Sequence, residues 1–423
     1  MKLYEPVDAI LSDPIDKQKT PRICGLPAIL ASLALISSAA LGSDYRHADE
    51  PIGDVEAVYS GQLTPDLAVS TFRNIHRLFP SRIIEAGQTP RPLSASSRSI
   101  DGLSVDSGGK SYDIYDYLAL NSIAGLIVLK NGEVVYETYQ RDNHRDTRWM
   151  SMSVAKSISS TLAGMAIQDG LIKGLDAQVV DYVPELEGSA YDGVTLRNIL
   201  MMSSGVAWNE TYTDINSDRR DLLRAQIAQE PGGAMEVMAG LSRAAEPGTV
   251  NNYSTGETQI LAAILDGALD QPLAEYLSEK LWQPYGMESD ATWWLASPDG
   301  MEIGGSGIGA TLRDYARFGQ FILEDGMIDD TRVLPEGWVD EATTPKTLAD
   351  GEVLDYGYMW WTGWTPDSKR DGAFAAVGIQ GQYVYVNPAE NVVIAQNAAE
   401  PKPLGKHMVD PMVFFDAVVN HLK

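Results

Sequence analysis

A serine three residues before a lysine is among the shortest patterns able to activate a hydroxyl, and it occurs at Ser153-Val-Ala-Lys156 and at Ser107-Gly-Gly-Lys110. A serine attacks a carbonyl only when a neighbouring base takes its proton. A lysine amine, with an ordinary pKa near 10.4, serves as that base only where burial lowers it. Ser153 opens a segment in which Val154, Ile158, Leu162, Met165 and Ala166 recur at helical spacing, and Gly170 can end it. Lys156 then lies one turn along on the same face, and the first free amides of the helix can meet a developing negative charge. The same four residues also fit a helix-capping serine followed by an exposed lysine. Ser107-Gly-Gly-Lys110 sits in a Gly-rich loop with no helix to hold its two side chains together. It is not a phosphate loop either, because Ser104 stands where the Walker pattern needs its first glycine.

Two later segments have the form of site loops. Glu246-Pro-Gly-Thr-Val-Asn-Asn-Tyr253-Ser254 delivers a tyrosine, and Gly378-Ile-Gln-Gly-Gln-Tyr383 is a Gly-rich turn entering a strand. Trp293, Trp294, Trp360, Trp361 and Trp364 either line a pocket or fill a core.

These residues need a frame. Residues 125–139 hold two β-rich runs around Asn131-Gly132, the dipeptide suited to a type I′ hairpin. Residues 382–396 again read as strand, turn, strand, while residues 172–285 are mostly helical in pattern. Strands at both ends with helices between predict an α+β body: an antiparallel sheet flanked by helices, with an inserted all-α lobe over about 172–285. A cleft between such lobes is where small-molecule sites lie. Residues 44–111, rich in Pro, Ser, Gly and charge with one helical piece near Leu67 to Leu78, read as an extension that wraps the body or links it to the N-terminus. The main domain is expected over 112–423.

Composition excludes several function classes. The chain has 423 residues and a formal charge of −26, which disfavours nucleic-acid binding. With Cys24 alone it can build neither a disulfide nor a thiolate zinc site, and its five histidines show no metal-ligand spacing, so no metal or cofactor is expected. No Gly-x-Ser-x-Gly pentapeptide occurs, which leaves the late His407 and His421 without the serine of an α/β-hydrolase triad. Residues 23–41 are apolar and uncharged, follow Lys17, Lys19 and Arg22, and close on Ser38-Ala39-Ala40, in the manner of an export signal. On that reading residues 1–43 direct the protein to the periplasm or outside the cell, or anchor it in a membrane if retained. If the run is instead a buried helix, the protein is cytoplasmic.

Taken together, Ser153-x-x-Lys156, Tyr253 and the Gly378-Ile379 turn resemble, in order and spacing, the motifs of the penicillin-recognising serine hydrolases: class C β-lactamases, DD-peptidases and related esterases and amidases. The resemblance covers about residue 112 to the C-terminus and implies a β-lactamase/transpeptidase-like fold. It is strongest to the 6-aminohexanoate-dimer (nylon-oligomer) hydrolase group, through Met152-Ser-Val-Ala-Lys-Ser157, Asp181-Tyr-Val-Pro-Glu-Leu-Glu-Gly188, Trp208-Asn-Glu-Thr-Tyr212 and Ile379-Gln-Gly-Gln382. It implies that Ser153 attacks a small amide or ester, that Lys156 takes its proton and that Tyr253 serves the leaving group and then water. The amides of Ser153 and Ile379 would hold the oxyanion. Tyr212, Asp218 and Gly378 would contact substrate, Asp218 by pairing with a cationic end.

The departures narrow the substrate. The Lys-Thr-Gly or His-Thr-Gly that grips a substrate carboxylate in penicillin-directed relatives is Ala376-Val377-Gly378 here, which argues against a β-lactamase or D-amino-acid peptidase, the alternative within this fold. The family's Tyr-x-Asn reads Tyr253-Ser254-Thr255. Gly305 stands near a substrate-contacting Asn of the nylon-oligomer enzymes, and Glu257 falls on another family Asn. A non-catalytic binding protein of the same fold would not need Ser153, Lys156 and Tyr253 together.

Overall fold

The computed structural model describes residues 45–405 and 407–423. The apolar run 23–41 and Cys24 lie outside the described residues. Residues 45–49 form a short turn, and Glu50–Lys423 forms a separate compact body, to which everything below refers. Among the described residues no helix is long and apolar enough to cross a membrane.

The elements that frame the site are β1 (Ser81–Ile84), β2 (Ile123–Lys130), β3 (Glu133–Tyr139), β4 (Arg148–Met150), α1 (Val154–Gln168), α2 (Asp218–Ala228), α3 (Thr255–Ala268), β5 (Ala291–Trp294), β6 (Ile308–Thr311), α4 (Leu312–Leu323), β7 (Trp361–Thr362), β8 (Phe374–Gly378), β9 (Gln382–Asn387), β10 (Val392–Ala398) and α5 (Pro411–Leu422). Asn131 and Gly132 both take positive φ, 53° and 77°, as the mirror-image turn requires, and Lys130 faces Glu133 across it. That hairpin forms one edge of a six-stranded antiparallel sheet in the order β7-β8-β9-β10-β2-β3.

Alternation along the strands feeds two cores. Ile127, Leu129, Val384, Val386, Val393 and Ala395 point to one face, where residues of α1 and α4 cover them. Leu126, Val128, Tyr383, Tyr385, Val392 and Ile394 point to the other, against Phe414, Phe415, Val418 and Val419 of α5. With both faces covered, β2 is buried along its whole length, so it reads as a continuous apolar run rather than an alternating one.

The helical stretch expected over 172–285 is a series of short helices and 3-10 turns, with α2 and α3 its longest members. The stretch read as an extension does more than wrap. β1 is the edge of a four-stranded sheet, β1-β5-β6-β4, and Val58, Tyr59, Phe72, Ile75 and Phe79 share a core with Trp149, Met152, Tyr212 and Ile379. Its polar composition hid this, although residues 68–75 are all buried. Trp293, Trp294 and Trp360 are core residues, whereas Trp361 is part-exposed and packs 5.5 Å from the Tyr253 ring.

Candidate active site

The chain enters the site through a braced turn. The Ser151 amide donates to the Ile308 carbonyl at 2.7 Å, the Ile308 amide donates to Ser151 Oγ at 3.1 Å, and the Tyr315 hydroxyl donates to the Trp149 carbonyl at 2.8 Å. Met152 is then forced to φ 42°, a strained position for a residue with a Cβ, which swings Ser153 to the head of α1. Buried hydroxyls on α1 pin the helix: Ser157 donates to the Met359 carbonyl, Ser159 to Gly304 and Ser160 to Tyr358, at 2.6, 2.8 and 2.7 Å.

The alternative of a capping serine with an exposed lysine does not hold. Ser153 makes no side-chain capping bond, and Lys156 is 1% exposed. The Lys156 amine lies 3.1 Å from Ser153 Oγ, 3.0 Å from Thr255 Oγ1 and 3.0 Å from the Gly305 carbonyl. Burial is the main cause that lowers its pKa to about 7; the Arg219 charge pushes the same way and Glu210 opposes it. Thr255 donates its hydroxyl proton to Glu210 Oε1 at 2.5 Å, so its oxygen can only accept from the lysine. The Gly305 carbonyl is also an obligate acceptor. A neutral lysine has two N–H bonds, and both are taken by these fixed acceptors. Its lone pair is left facing the Ser153 hydroxyl.

Tyr253 is held by a loop whose neighbours anchor to residues 201–208: the Asn252 amide donates to the Met202 carbonyl, and Asn251 and Asn252 side chains donate to the Met201 and Trp208 carbonyls. Its hydroxyl is near enough to Ser153 for that side chain to lower its pKa, and its ring stands 5.4 Å from the Lys156 amine. Burial, reinforced by the Glu210 charge, holds the phenol above its ordinary pKa although the Ser153 contact pulls it down. Of the two groups beside the serine, burial favours the neutral, proton-accepting form of the lysine and the protonated form of the tyrosine.

Across the site, Gly378 ends β8 hard against the nucleophile turn. A Cβ at this position would lie 2.6 Å from the Ser151 carbonyl and 3.1 Å from Met152 Cβ, so only glycine permits the approach. The amides of Ser153 and Ile379, on the two sides of this contact, donate no hydrogen bond among the described residues. They are a pair of free donors of the kind an oxyanion needs.

Tyr212 is buried, feels the Glu210 charge, and stacks on Tyr59 with ring centroids 6.4 Å apart. Asp218 Oδ2 accepts the Asn209 amide at 2.7 Å and shapes the loop before Tyr212. The charge that reaches Lys156, Tyr212 and Tyr253 from α2 is that of Arg219, opposite in sign to the acid expected here. Gly305 contributes its carbonyl to the lysine, and a Cβ there would stand 3.1 Å from the amine. Glu257 is buried one turn beyond Tyr253, and Ser204 Oγ donates to its Oε1 at 2.5 Å. Ser107 and Lys110 face each other across an exposed two-stranded turn far from this chemistry in role and setting.

Glu210, Thr255 and Arg219 are the site residues that sequence reasoning passed over. Glu210 receives the Trp208 indole N–H at 2.5 Å and the Thr255 amide at 2.9 Å, and so ties its loop to the start of α3. Thr255 occupies the third position of the altered Tyr-x-Asn triplet, and that substitution was the available signal.

A serine at a helix start, a buried lysine beside it, a tyrosine from an all-α lobe and a free amide at a strand end are the parts a serine hydrolase of β-lactamase architecture needs. Residues 120–415 match the Beta-lactamase family, and the chain belongs to it. Over 350 residues it is 29% identical to the 6-aminohexanoate-dimer hydrolase of Paenarthrobacter ureafaciens, covering 79% of this chain and 86% of that one. A solved Bacillus anthracis structure assigned as a 6-aminohexanoate-dimer hydrolase shares the fold, with a TM-score of 0.74, 21% identity and coverage of 84% and 94%. A family VIII carboxylesterase shares it at a TM-score of 0.55, 17% identity and coverage of 73% and 96%.

Proposed function

We propose that the protein hydrolyses the amide or ester bond of a small molecule through an acyl-serine intermediate, as its likeness to 6-aminohexanoate-dimer hydrolase suggests. Ser153 Oγ attacks the carbonyl while Lys156 takes its proton, and the carbonyl oxygen, now negative, is met by the Ser153 and Ile379 amides. The proton passes through the Tyr253 hydroxyl to the leaving nitrogen or oxygen, and the acyl–leaving-group bond breaks. Water then attacks the acyl-serine, loses a proton along the same route and restores Ser153. The observation that carries this reading is the Lys156 amine, buried, brought to about 7 and fixed by two obligate acceptors so that its lone pair faces Ser153. The uncharged Ala376-Val377-Gly378 strand favours this reading over a β-lactamase or D-amino-acid peptidase. The apolar run 23–41 supports export or membrane anchoring.

A fluorophosphonate probe tests the nucleophile. Wild type should label stoichiometrically and Ser153→Ala not at all. Equal labelling of both, or of neither, sinks the proposal.

A further inference from the structure

The two amides that face the oxyanion come from different sheets. Ser153 follows β4, a strand of the four-stranded sheet, and Ile379 follows β8, a strand of the six-stranded one. No ladder hydrogen bond therefore holds one donor against the other among the described residues. Such a pair depends on whatever links the sheets, because a misplacement of roughly 1 Å can cost roughly 10²-fold in rate.

The side chain of Gln382, at the start of β9, is a link of this kind, and it is buried. Its Oε1 accepts the Trp149 indole N–H of β4 at 3.0 Å and the Ala398 amide of β10 at 3.1 Å. Its Nε2 donates to the Gln380 and Ala398 carbonyls, each at 2.8 Å. An indole N–H and a backbone amide can only donate, and two carbonyls can only accept. The side-chain amide therefore has one orientation, and all four of its hydrogen-bonding positions are filled. Gly378 is the cross-strand neighbour of Gln382. Ile379 thus lies between two residues that Gln382 holds, one by strand register and the other by its side chain.

Gln380 is fixed in its turn. Its φ of 62° is left-handed, as is that of Gly381 at 87°. A glutamine in a conformation that favours glycine persists only where its surroundings hold it. Here its Nε2 donates to the Val58 carbonyl at 2.9 Å and its amide to the Pro403 carbonyl at 3.1 Å. Those bonds set the turn, and the Gln382–Trp149 bond ties it to the strand that leads to Ser153.

We propose that Gln382 is a positioning residue for the reaction: by bridging Trp149 and Gln380 it sets the Ile379 amide against the Ser153 amide, so that both reach one oxyanion. The proposal rests on the acyl-serine reading above and gives the last residue of the Ile379-Gln-Gly-Gln382 run a role in it. Its effect falls on the charged tetrahedral state and not on the bound substrate.

Gln382→Met and Gln382→Glu, both close to glutamine in size, test this in the full chain. Methionine removes all four bonds, while glutamate keeps the acceptor for Trp149 and sets a carboxylate against two carbonyls. With p-nitrophenyl butyrate each should lower kcat by about 10- to 100-fold and leave KM within about threefold of wild type. Phenylboronic acid, whose adduct with Ser153 is a negative tetrahedral centre, should bind more weakly by a similar factor. Trp149→Phe, which removes the other end of the bridge, should give the same signature and carries the test if neither Gln382 variant folds. A folded variant with kcat and boronate affinity unchanged, or with KM alone raised, overturns this inference and leaves the acyl-serine reading standing, even if its unfolding midpoint falls. Wild type with no Ser153-dependent turnover of the ester overturns the acyl-serine reading, and this inference with it.

Discussion

Three hydrogen-bond partners decide what Lys156 does. A lysine with three strong acceptors is ordinarily held charged, but here burial outweighs them and brings the amine to about 7. In the proposed mechanism acylation needs the neutral amine, so kcat/KM should rise with pH along a limb centred near 7 and level off above it. Glu210 opposes the shift through its negative charge, and it also orients Thr255. Glu210→Gln should therefore move that limb to lower pH while reducing the plateau, because the amine becomes a weaker base and one acceptor is no longer fixed. A pH profile of kcat/KM for wild type and variant, on a neutral ester, measures both changes. An acid limb that stays in place would mean that Glu210 does not act on Lys156.

At the scale of elements, the oxyanion pair exists because β8 ends against the turn before α1. Gly378→Ala places a methyl group 2.6 Å from the Ser151 carbonyl, and backbone on both sides must give way. The two free amides then move apart, with an expected loss of about 10² to 10³ in kcat, the usual value of one oxyanion donor, and a smaller change in KM. Steady-state kinetics on the purified variant checks it, and an unchanged kcat removes Ile379 from the mechanism. The same scale shows what was legible in the sequence. Ser153 and Lys156 share a helix, and the hairpin at Asn131-Gly132 is a local signal, so periodicity and turn chemistry reach both. Arg219, Glu210 and Thr255 are brought together by two loops and two helices of the lobe, and no local pattern encodes that meeting. Asp218, by contrast, was picked out by position alone, and the structure shows its Oδ2 accepting the Asn209 amide. In the first turn of a helix, adjacent residues point about 100° apart, so Asp218 Oδ2 meets the Asn209 amide while the next residue, Arg219, is buried. Residues 50–80 were read as wrapping because their inward side chains, such as Tyr59 and Phe72, find their partners more than 70 positions away.

The whole molecule bears the cost of a site built from buried titratable groups, and that cost has a pH signature. Burial raises the Glu257 carboxyl from 4.5 to about 8, with the Ser204 hydrogen bond only partly opposing it. Its folded pKa lies above the unfolded one, so the associated stability is fully present below pH 4.5 and is lost as pH climbs to about 8. Lys156 runs the other way: its folded pKa of about 7 lies below the unfolded 10.5, so its contribution is present above 10.5 and is lost as pH falls through 7. The two losses overlap most completely between about 7 and 8, where together they should cut a trough in the stability curve. Glu257→Gln keeps an acceptor for the Ser204 hydroxyl and removes the ionisation. It should raise the thermal unfolding midpoint at pH 8, leave it nearly unchanged at pH 5, and so erase the acid side of the trough. Lys156→Met should erase the alkaline side, with its gain largest at pH 7 and below. Scanning calorimetry of the three proteins from pH 5 to 9 at fixed ionic strength makes the comparison. A Glu257→Gln gain of the same size at pH 5 and pH 8 would assign it to packing and refute the buried-acid account of the fold's pH dependence.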